Sequence, residues 1–139
     1  MNIINAKALL AIAEEARELA YSPYSGITVG AALLTKDGKI FKGANIENAS
    51  YTPTVCAERV AMFTAVHKGE RKFTAMAIVG GKRGENVSAY CAPCGVCRQV
   101  MREFCEDDFA IYMVGKDGYE SFTLADILPH SFRASTHMA

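Results

Sequence analysis

Two short motifs combine residue types that could form a metal-dependent catalytic site. Cys94 and Cys97 are three residues apart directly after Pro93, and Cys56 precedes Glu58 by two residues. Thiolates suit zinc, and three protein ligands with a fourth position left for water are typical of a catalytic zinc site. A carboxylate that meets such a water can act as its acid and base. The motifs therefore predict a site for one Zn²⁺ per chain, with the three cysteines as ligands and Glu58 as the catalytic group.

Both motifs lie where helices are expected to begin. Apolar spacing predicts one helix over about 55–68 and another over 94–105. A helix N-terminus lowers the pKa of a thiol and offsets the negative charge of several sulfurs around one dication. Side chains tilt towards the N-terminus, so Glu58 can reach over the same end as Cys56. A neighbouring parallel strand pair would bring the two helix starts together.

The remaining segments predict the fold that positions these helices. The first twenty residues have the pattern of an amphipathic helix. Strand-like runs occupy 28–35, 39–47, 73–81, 109–114 and 119–124, and Asp37-Gly38 predicts a hairpin between the first two. A short helix is expected over 124–128. This order predicts one α/β domain over 1–139, a three-layer α/β/α arrangement with one five-stranded mixed sheet.

Composition narrows the class of partner. Fifteen basic residues balance fifteen acidic ones at a sequence pI near 6.8, which argues against a nucleic-acid partner or an anionic membrane surface. The apolar run near the N-terminus is interrupted by Glu14 and Glu15 before it reaches signal-peptide or membrane-span length. We therefore expect a cytoplasmic protein, without a membrane partner, that acts on a small molecule. In a reducing compartment, a CxxC pair is more often a metal or redox site than a structural disulfide.

Several segments carry a resemblance to a known family. "CAE" at 56–58 and "PCGVCRQV" at 93–100 resemble the three-cysteine zinc signature of the cytidine deaminase superfamily. "SPYSGITVGAAL" at 22–33, "GANIENASY" at 43–51 and "ILPHSF" at 127–132 resemble segments of the short, homotetrameric deaminases of free nucleosides. The resemblance implies a cytidine deaminase-like fold and hydrolytic deamination of cytidine and 2′-deoxycytidine in pyrimidine salvage. It also implies a homotetramer with shared active sites.

The resemblance further implies roles for individual residues. A zinc-activated water would attack C4 of cytosine, while Glu58 delivers a proton to N3 and then to the departing amine. Asn45 and Glu47 would bind the ribose 3′-hydroxyl. The backbone of Ala57 would meet the pyrimidine, and Arg59 would donate to a ligand sulfur.

Three more positions are assigned by the same resemblance. Phe132 would pack on the base from a neighbouring subunit, and Tyr51 would line the site near a subunit boundary. Ile27 stands where the family usually has an aromatic residue. The substitution changes the packing at one wall of the base or ribose pocket without touching the chemistry.

Three alternatives stay open at the level of sequence. Cys91 also forms a CxxC with Cys94, and as a fourth ligand it would make the site structural. A deaminase of tRNA or polynucleotides is a second alternative, although such relatives place a helix between their last two core strands and the link at 115–118 is too short for one. The third is a deaminase of another aminated base or of a nucleoside antibiotic.

Overall fold

Residues 4–134, the part of the chain that the computed structural model describes, form four helices and five strands. The ends of the predicted 1–139 domain lie outside that range. The elements are α1 (Ala6–Arg17), β1 (Ile27–Thr35), β2 (Ile40–Ala44), α2 (Ala57–His67), β3 (Phe73–Lys82), α3 (Gly95–Phe104), β4 (Ala110–Gly115), β5 (Gly118–Thr123) and α4 (Leu124–Ile127). The order predicted from the sequence is confirmed. No helix within these residues is long and apolar enough to cross a bilayer.

The strands form one mixed sheet in the order β2-β1-β3-β4-β5. β1 pairs antiparallel with β2 and β3, β3 pairs parallel with β4, and β4 pairs antiparallel with β5. The hairpin predicted at Asp37-Gly38 is present, with Gly38 at φ +89°, a left-handed conformation that glycine adopts without strain. β4 and β5 are also joined by a tight turn, in which Gly115 pairs with Gly118. The predicted five-stranded mixed sheet is therefore confirmed.

Helices cover both faces of this sheet. Alternation along β1 sends Leu33 to one face and Ala32 to the other. The first face packs against α2 and α3 through side chains such as Met62 and Met101, and the second packs against α1 through Leu9. The result is the predicted three-layer α/β/α arrangement.

The first helix is shorter than the sequence pattern predicts. α1 ends at Arg17, and Leu19, assigned to the apolar face, is 80% exposed. The chain leaves the helix because the Tyr21 N–H donates to the carbonyl of Asn45 at 2.9 Å, beside the end of β2. Arg17 is buried instead, and its guanidinium donates to main-chain carbonyls of Thr28 and Lys82. Tertiary hydrogen bonds thus override helical periodicity at this end.

The second strand also ends earlier than predicted, at Ala44 rather than at residue 47. Beyond it, Ile46 pairs with Tyr21 on one side and with Val55 on the other. Ile46 and Val55 exchange two main-chain hydrogen bonds of 3.0 and 2.9 Å. The segment that carries Glu47 is therefore joined through the backbone to the segment that enters α2.

Close packing fixes α2 against β2. A Cβ atom at Gly43 would lie 2.4 Å from the carbonyl oxygen of Ala57 and 2.5 Å from the nitrogen of Ala61. Only glycine allows the backbones to approach this closely. The start of α2, which carries four of the predicted site residues, Cys56 to Arg59, therefore rests directly on the sheet.

Candidate active site

The first two predicted ligands occupy equivalent positions at the starts of two helices. Cys56 is the N-cap residue of α2 and Cys94 the N-cap residue of α3, both with extended backbone angles. Neither side chain caps its own helix. Both sulfurs are therefore available to a shared ligand near helix ends that carry partial positive charge.

Cys97, in the first turn of α3, completes a cluster of three sulfurs. The Sγ atoms of Cys56 and Cys94 are 3.8 Å apart, and those of Cys94 and Cys97 are 3.5 Å apart. Tetrahedral zinc–sulfur bonds of about 2.3 Å place neighbouring sulfurs about 3.8 Å apart. All three sulfurs lie within 4.8 Å of one another, and within residues 4–134 this is the one group of three or more His, Cys, Asp or Glu side chains with such spacing. The donor set and its size therefore fit a zinc ion.

The local charges favour a thiolate in this cluster. Hydrogen bonds from the Cys97 thiol and from Arg59 lower the pKa of Cys56 to about 5. The same Cys97–Cys56 bond and burial hold the pKa of Cys97 above its usual range. Arg59 Nη2 donates a hydrogen bond of 3.5 Å to the Cys56 sulfur. Its Nε is buried and has no hydrogen-bond partner among the described residues.

Glu58 lies in the first turn of α2, two residues after Cys56, and is only 5% exposed. Burial, together with the charge of Cys56, raises the pKa of its carboxyl group to about 7. A group that gains and loses a proton near neutral pH suits general acid–base chemistry. The structure thus brings the predicted catalytic carboxyl to the predicted ligands, with the neighbouring Ala57 fully buried.

Cys91 does not join the cluster. It is absent from the group of sulfurs within 4.8 Å. Its sulfur packs against Gly80, where an added Cβ would lie 2.7 Å away, and burial raises the pKa of this thiol to about 11. A neutral thiol held elsewhere does not provide the fourth ligand that a structural zinc site needs.

A concave pocket of about 320 Å³ lies beside the loop that enters α2. It is lined by Tyr24, Ser25, Glu47, Tyr51 and Thr54. Thr54 precedes Cys56 by two residues, so a short stretch of chain joins this pocket to a member of the sulfur cluster. Two residues predicted from the sequence, Glu47 and Tyr51, therefore share one pocket.

Glu47 is held by the turn that precedes β1. Its carboxylate accepts hydrogen bonds from the backbone N–H groups of Tyr24 and Ser25 at 3.0 and 3.1 Å, and from the Ser25 hydroxyl at 2.5 Å. These bonds, the Ser25 hydroxyl first, hold the pKa of Glu47 below its usual range. A carboxylate offers about four acceptor positions, so about one remains for a ligand hydroxyl.

Asn45 is buried and bridges to β1. Its Oδ1 accepts from the Val29 N–H at 2.8 Å, and its Nδ2 donates to the Ile27 carbonyl at 2.9 Å. An amide nitrogen has two donors, so one N–H remains. Ile46, the residue between Asn45 and Glu47, is exposed, which agrees with the expected alternation.

Phe132 lies apart from this pocket. Its ring is 53% exposed, and its carbonyl accepts a hydrogen bond from Gln99 Nε2 at 2.9 Å. Tyr51, at φ +63°, packs edge-on against Tyr24, with ring centroids 6.0 Å apart. Neither observation tests a subunit boundary, so both roles stay predictions.

Comparison with known proteins identifies this arrangement of groups. The sequence model described as the cytidine and deoxycytidylate deaminase zinc-binding region matches residues 4–113, which include all three clustered cysteines and Glu58. The chain belongs to the cytidine and deoxycytidylate deaminase family. Membership in this family and the three-sulfur cluster together fit one zinc per chain.

Relatives in the deaminase family are similar over most of their length. The chain is 47% identical to a cytidine deaminase of Sporosarcina psychrophila, over 89% of this chain and 88% of that one. It is 46% identical to a cytidine deaminase of Halalkalibacterium halodurans, over 91% and 92%. The crystal structure of a cytidine deaminase from Burkholderia pseudomallei, 44% identical, superposes with a TM-score of 0.81 over 92% of this chain and 99% of that one. The cytidine deaminase-like fold is thereby confirmed.

The structure also shows pocket residues of this deaminase that the sequence analysis missed. Tyr24, Ser25 and Thr54 line the pocket, and the first two belong to the segment "SPYSGITVGAAL" at 22–33. A turn of Ser, Pro and Gly residues leaves backbone N–H groups without regular partners. The signal that could have linked this turn to the site was Glu47, a carboxylate for which the sequence analysis assigned no protein hydrogen-bond donor.

Proposed function

We propose that this chain catalyses the hydrolytic deamination of cytidine and 2′-deoxycytidine to uridine and 2′-deoxyuridine, with release of ammonia and with one zinc per chain. The observation that carries the proposal is a buried carboxyl group, Glu58, beside three clustered sulfurs to which residues 4–134 add no fourth ligand. This arrangement suits an activated water rather than a structural metal. Similarity to named cytidine deaminases at 46–47% identity supports the substrate class.

Glu58 moves protons at two atoms of the base. In its ionised form it accepts a proton from the attacking water and passes that proton to N3 of cytosine. It then carries the second proton of the water to the exocyclic nitrogen, which leaves as ammonia, so that the carboxylate is regenerated. Burial raises the pKa of this carboxyl group towards neutral pH, which favours a group that both accepts and donates a proton.

Cys56, Cys94 and Cys97 hold the metal, which supplies the Lewis acidity that makes a water nucleophilic at neutral pH. Arg59 lies 3.5 Å from the Cys56 sulfur and reduces the net negative charge of three thiolates around one dication. The backbone of Ala57, fully buried at the start of α2, faces the pyrimidine.

Glu47 and Asn45 recognise the ribose 3′-hydroxyl. The remaining acceptor position of Glu47 takes the hydroxyl proton, and the remaining amide N–H of Asn45 donates to the hydroxyl oxygen. The turn at Tyr24 holds the Glu47 side chain, and β1 holds the Asn45 side chain. Because both are already fixed, the entropic cost of binding the sugar is lower. Cytidine and 2′-deoxycytidine both carry this hydroxyl, so both are substrates.

The active site is completed in a homotetramer. The exposed ring of Phe132 packs on the base in a neighbouring subunit, and Tyr51 lines the site near that boundary. Ile27, with its carbonyl bonded to Asn45, forms one wall of the pocket at the start of β1. The chain acts as one domain in the cytoplasm, in pyrimidine salvage.

An ultraviolet assay tests the proposal. Zinc-loaded protein is incubated with cytidine, 2′-deoxycytidine, free cytosine, adenosine and guanine, and the loss of the amino-pyrimidine absorbance is followed together with ammonia release. We expect turnover of the two cytidine nucleosides and little of the other compounds. Preference for a different base or for a nucleoside antibiotic would establish the alternative substrate class, and zinc retention without turnover of any of them would return the site to a structural role.

A further inference from the structure

The first turn of α3 contacts the C-terminal segment, defined here as residues 124–132. Arg98 follows the last predicted ligand, Cys97, by one residue. Its Nε donates to the carbonyl of Pro93 at 2.8 Å, and its Nη1 donates to the carbonyl of Ile127 at 2.8 Å. One guanidinium therefore joins two segments that are 34 residues apart in the chain.

The first of these bonds fixes the peptide that leads into the metal cluster. Pro93 is fully buried, and its carbonyl belongs to the peptide unit that it shares with Cys94. Proline holds its own φ, so the orientation of this peptide depends on few further constraints. The hydrogen bond from Arg98 supplies one of these constraints and thereby helps to fix the position of the Cys94 sulfur.

The second bond fixes the C-terminal segment. Ile127 is the last residue of α4, whose terminal carbonyls have no partner inside the helix and carry partial negative charge. A guanidinium satisfies such a carbonyl with a charge-assisted bond. The next residue of α3, Gln99, donates from Nε2 to the carbonyl of Phe132 at 2.9 Å. Both ends of the 127–132 stretch are thus attached to the same helical turn.

We propose that Arg98 is a positioning residue that couples the metal ligands to the C-terminal segment. Because one guanidinium bridges the Pro93 and Ile127 carbonyls, loosening of one segment loosens the other. The helical turn that contains Cys97 also fixes the position of Phe132 through Gln99. The effect on turnover rests on the proposed function, in which Phe132 packs on the substrate. The bridge itself does not depend on the identity of that substrate.

The test compares Arg98→Gln with a matched control, Arg71→Gln. Arg71 Nη1 also donates two bonds of 2.8 Å to carbonyls, those of Val66 and Glu70, but at the far end of α2. Two readouts are taken on zinc-loaded protein. One is hydrogen–deuterium exchange of peptides that cover 124–132, and the other is the rate of zinc loss to an excess of a chromogenic chelator.

For Arg98→Gln we expect both rates to rise roughly 10-fold or more, since each bond is charge-assisted and metal-ligand supports act on this scale. For Arg71→Gln both should stay at wild-type values, even where its melting temperature falls by a similar amount. If Arg98→Gln changes only one rate, or if both variants change equally, the coupling is overturned.

Two further variants keep the test decisive if Arg98→Gln does not fold. Arg98→Lys keeps the charge but has a single ammonium on a flexible stem, which cannot reach both carbonyls in the planar geometry of a guanidinium. Because loosening of either segment loosens the other, both rates should therefore rise roughly 10-fold, and a rise in only one of them would overturn the coupling. Wild-type values for both rates would show that charge, rather than the bridge, is what matters.

Gln99→Ala removes only the bond to Phe132. We expect faster exchange in 128–132 with an unchanged rate of zinc loss, and a KM for cytidine raised roughly 2- to 10-fold at constant kcat. Unchanged exchange would overturn the attachment of the segment to α3. Faster exchange with an unchanged KM would leave the attachment standing and count against the proposed role of Phe132 instead.

Discussion

Replacing Gly43 with alanine should displace the helix start that carries Cys56 and Glu58. The added Cβ would lie 2.4 Å from the carbonyl oxygen of Ala57 and 2.5 Å from the nitrogen of Ala61. Both are backbone atoms of α2, so no side-chain rotation can relieve the overlap. The helix itself must move away from β2.

The size of that movement follows from the contact distances. Ordinary contacts of a Cβ atom begin near 3.4 Å, so α2 must retreat by about 1 Å. Overpacking of this kind costs about 1–3 kcal/mol of stability. A misplacement of about 1 Å at a catalytic centre costs about 10²-fold in rate. We therefore expect Gly43→Ala to lose about 10²-fold in kcat for cytidine per folded, zinc-loaded chain.

The assay needs a control that overpacks the other face of the sheet. A Cβ at Gly30 would lie 1.9 Å from the carbonyl oxygen of Ala13, in α1, which carries none of the proposed site residues. Gly30→Ala should lose at least as much stability while its rate per folded chain stays near that of the wild type. Folded fraction is taken from circular dichroism and zinc content from atomic absorption. A wild-type rate in Gly43→Ala, or an equal loss in both variants, would refute the reasoning.

Four further predictions concern single side chains. Glu58→Gln should keep zinc and fold but lose roughly 10²-fold or more in kcat, because only proton transfer is removed; near-normal turnover with full zinc content contradicts this role. Cys91→Ser should keep both zinc and activity, as measured by metal analysis and the ultraviolet assay. Metal loss in this variant would instead support a structural zinc site with Cys91 as fourth ligand. Glu47→Ala should lower kcat/KM for cytidine roughly 10- to 150-fold while hardly changing the rate with free cytosine, which has no ribose; an equal loss for both compounds would remove its role in sugar recognition. Phe132→Ala should raise KM for cytidine. On dilution of the wild-type protein, activity should fall together with dissociation of the oligomer seen by light scattering, and a fully active monomer would overturn this expectation.

The sulfur cluster could be predicted from the sequence because its geometry is mostly local. A CxxC at a helix start places two thiols on one end of that helix, and Cys56 occupies the same kind of position in α2. The order of elements then limits where the two helix starts can meet. Strand alternation and Asp-Gly turns specify the mixed sheet in the same local way.

Contacts between distant segments could not be predicted in this way. The hydrogen bonds of Arg98 to Ile127, of Glu47 to Ser25 and of Arg17 to Lys82 depend on how the elements pack. The end of α1 was misplaced for the same reason, because a tertiary bond to Asn45 competes with one more helical turn. Side-chain periodicity contains no information on such long-range polar partners.

The pairing of Ile46 with Val55 has a consequence for substrate range. Its two backbone hydrogen bonds tie the main chain of Glu47, one residue after Ile46, to that of Cys56, one residue after Val55. With the roles proposed for Glu47 in sugar binding and for the Cys56 cluster in metal binding, the distance between sugar and reacting carbon is therefore set by the main chain. We therefore expect that new rotamers do not accommodate nucleosides with a longer or shorter link between base and sugar, and that substitutions along the pocket wall do not extend the range in that direction. Insertions or deletions between residues 46 and 55 are the changes that would.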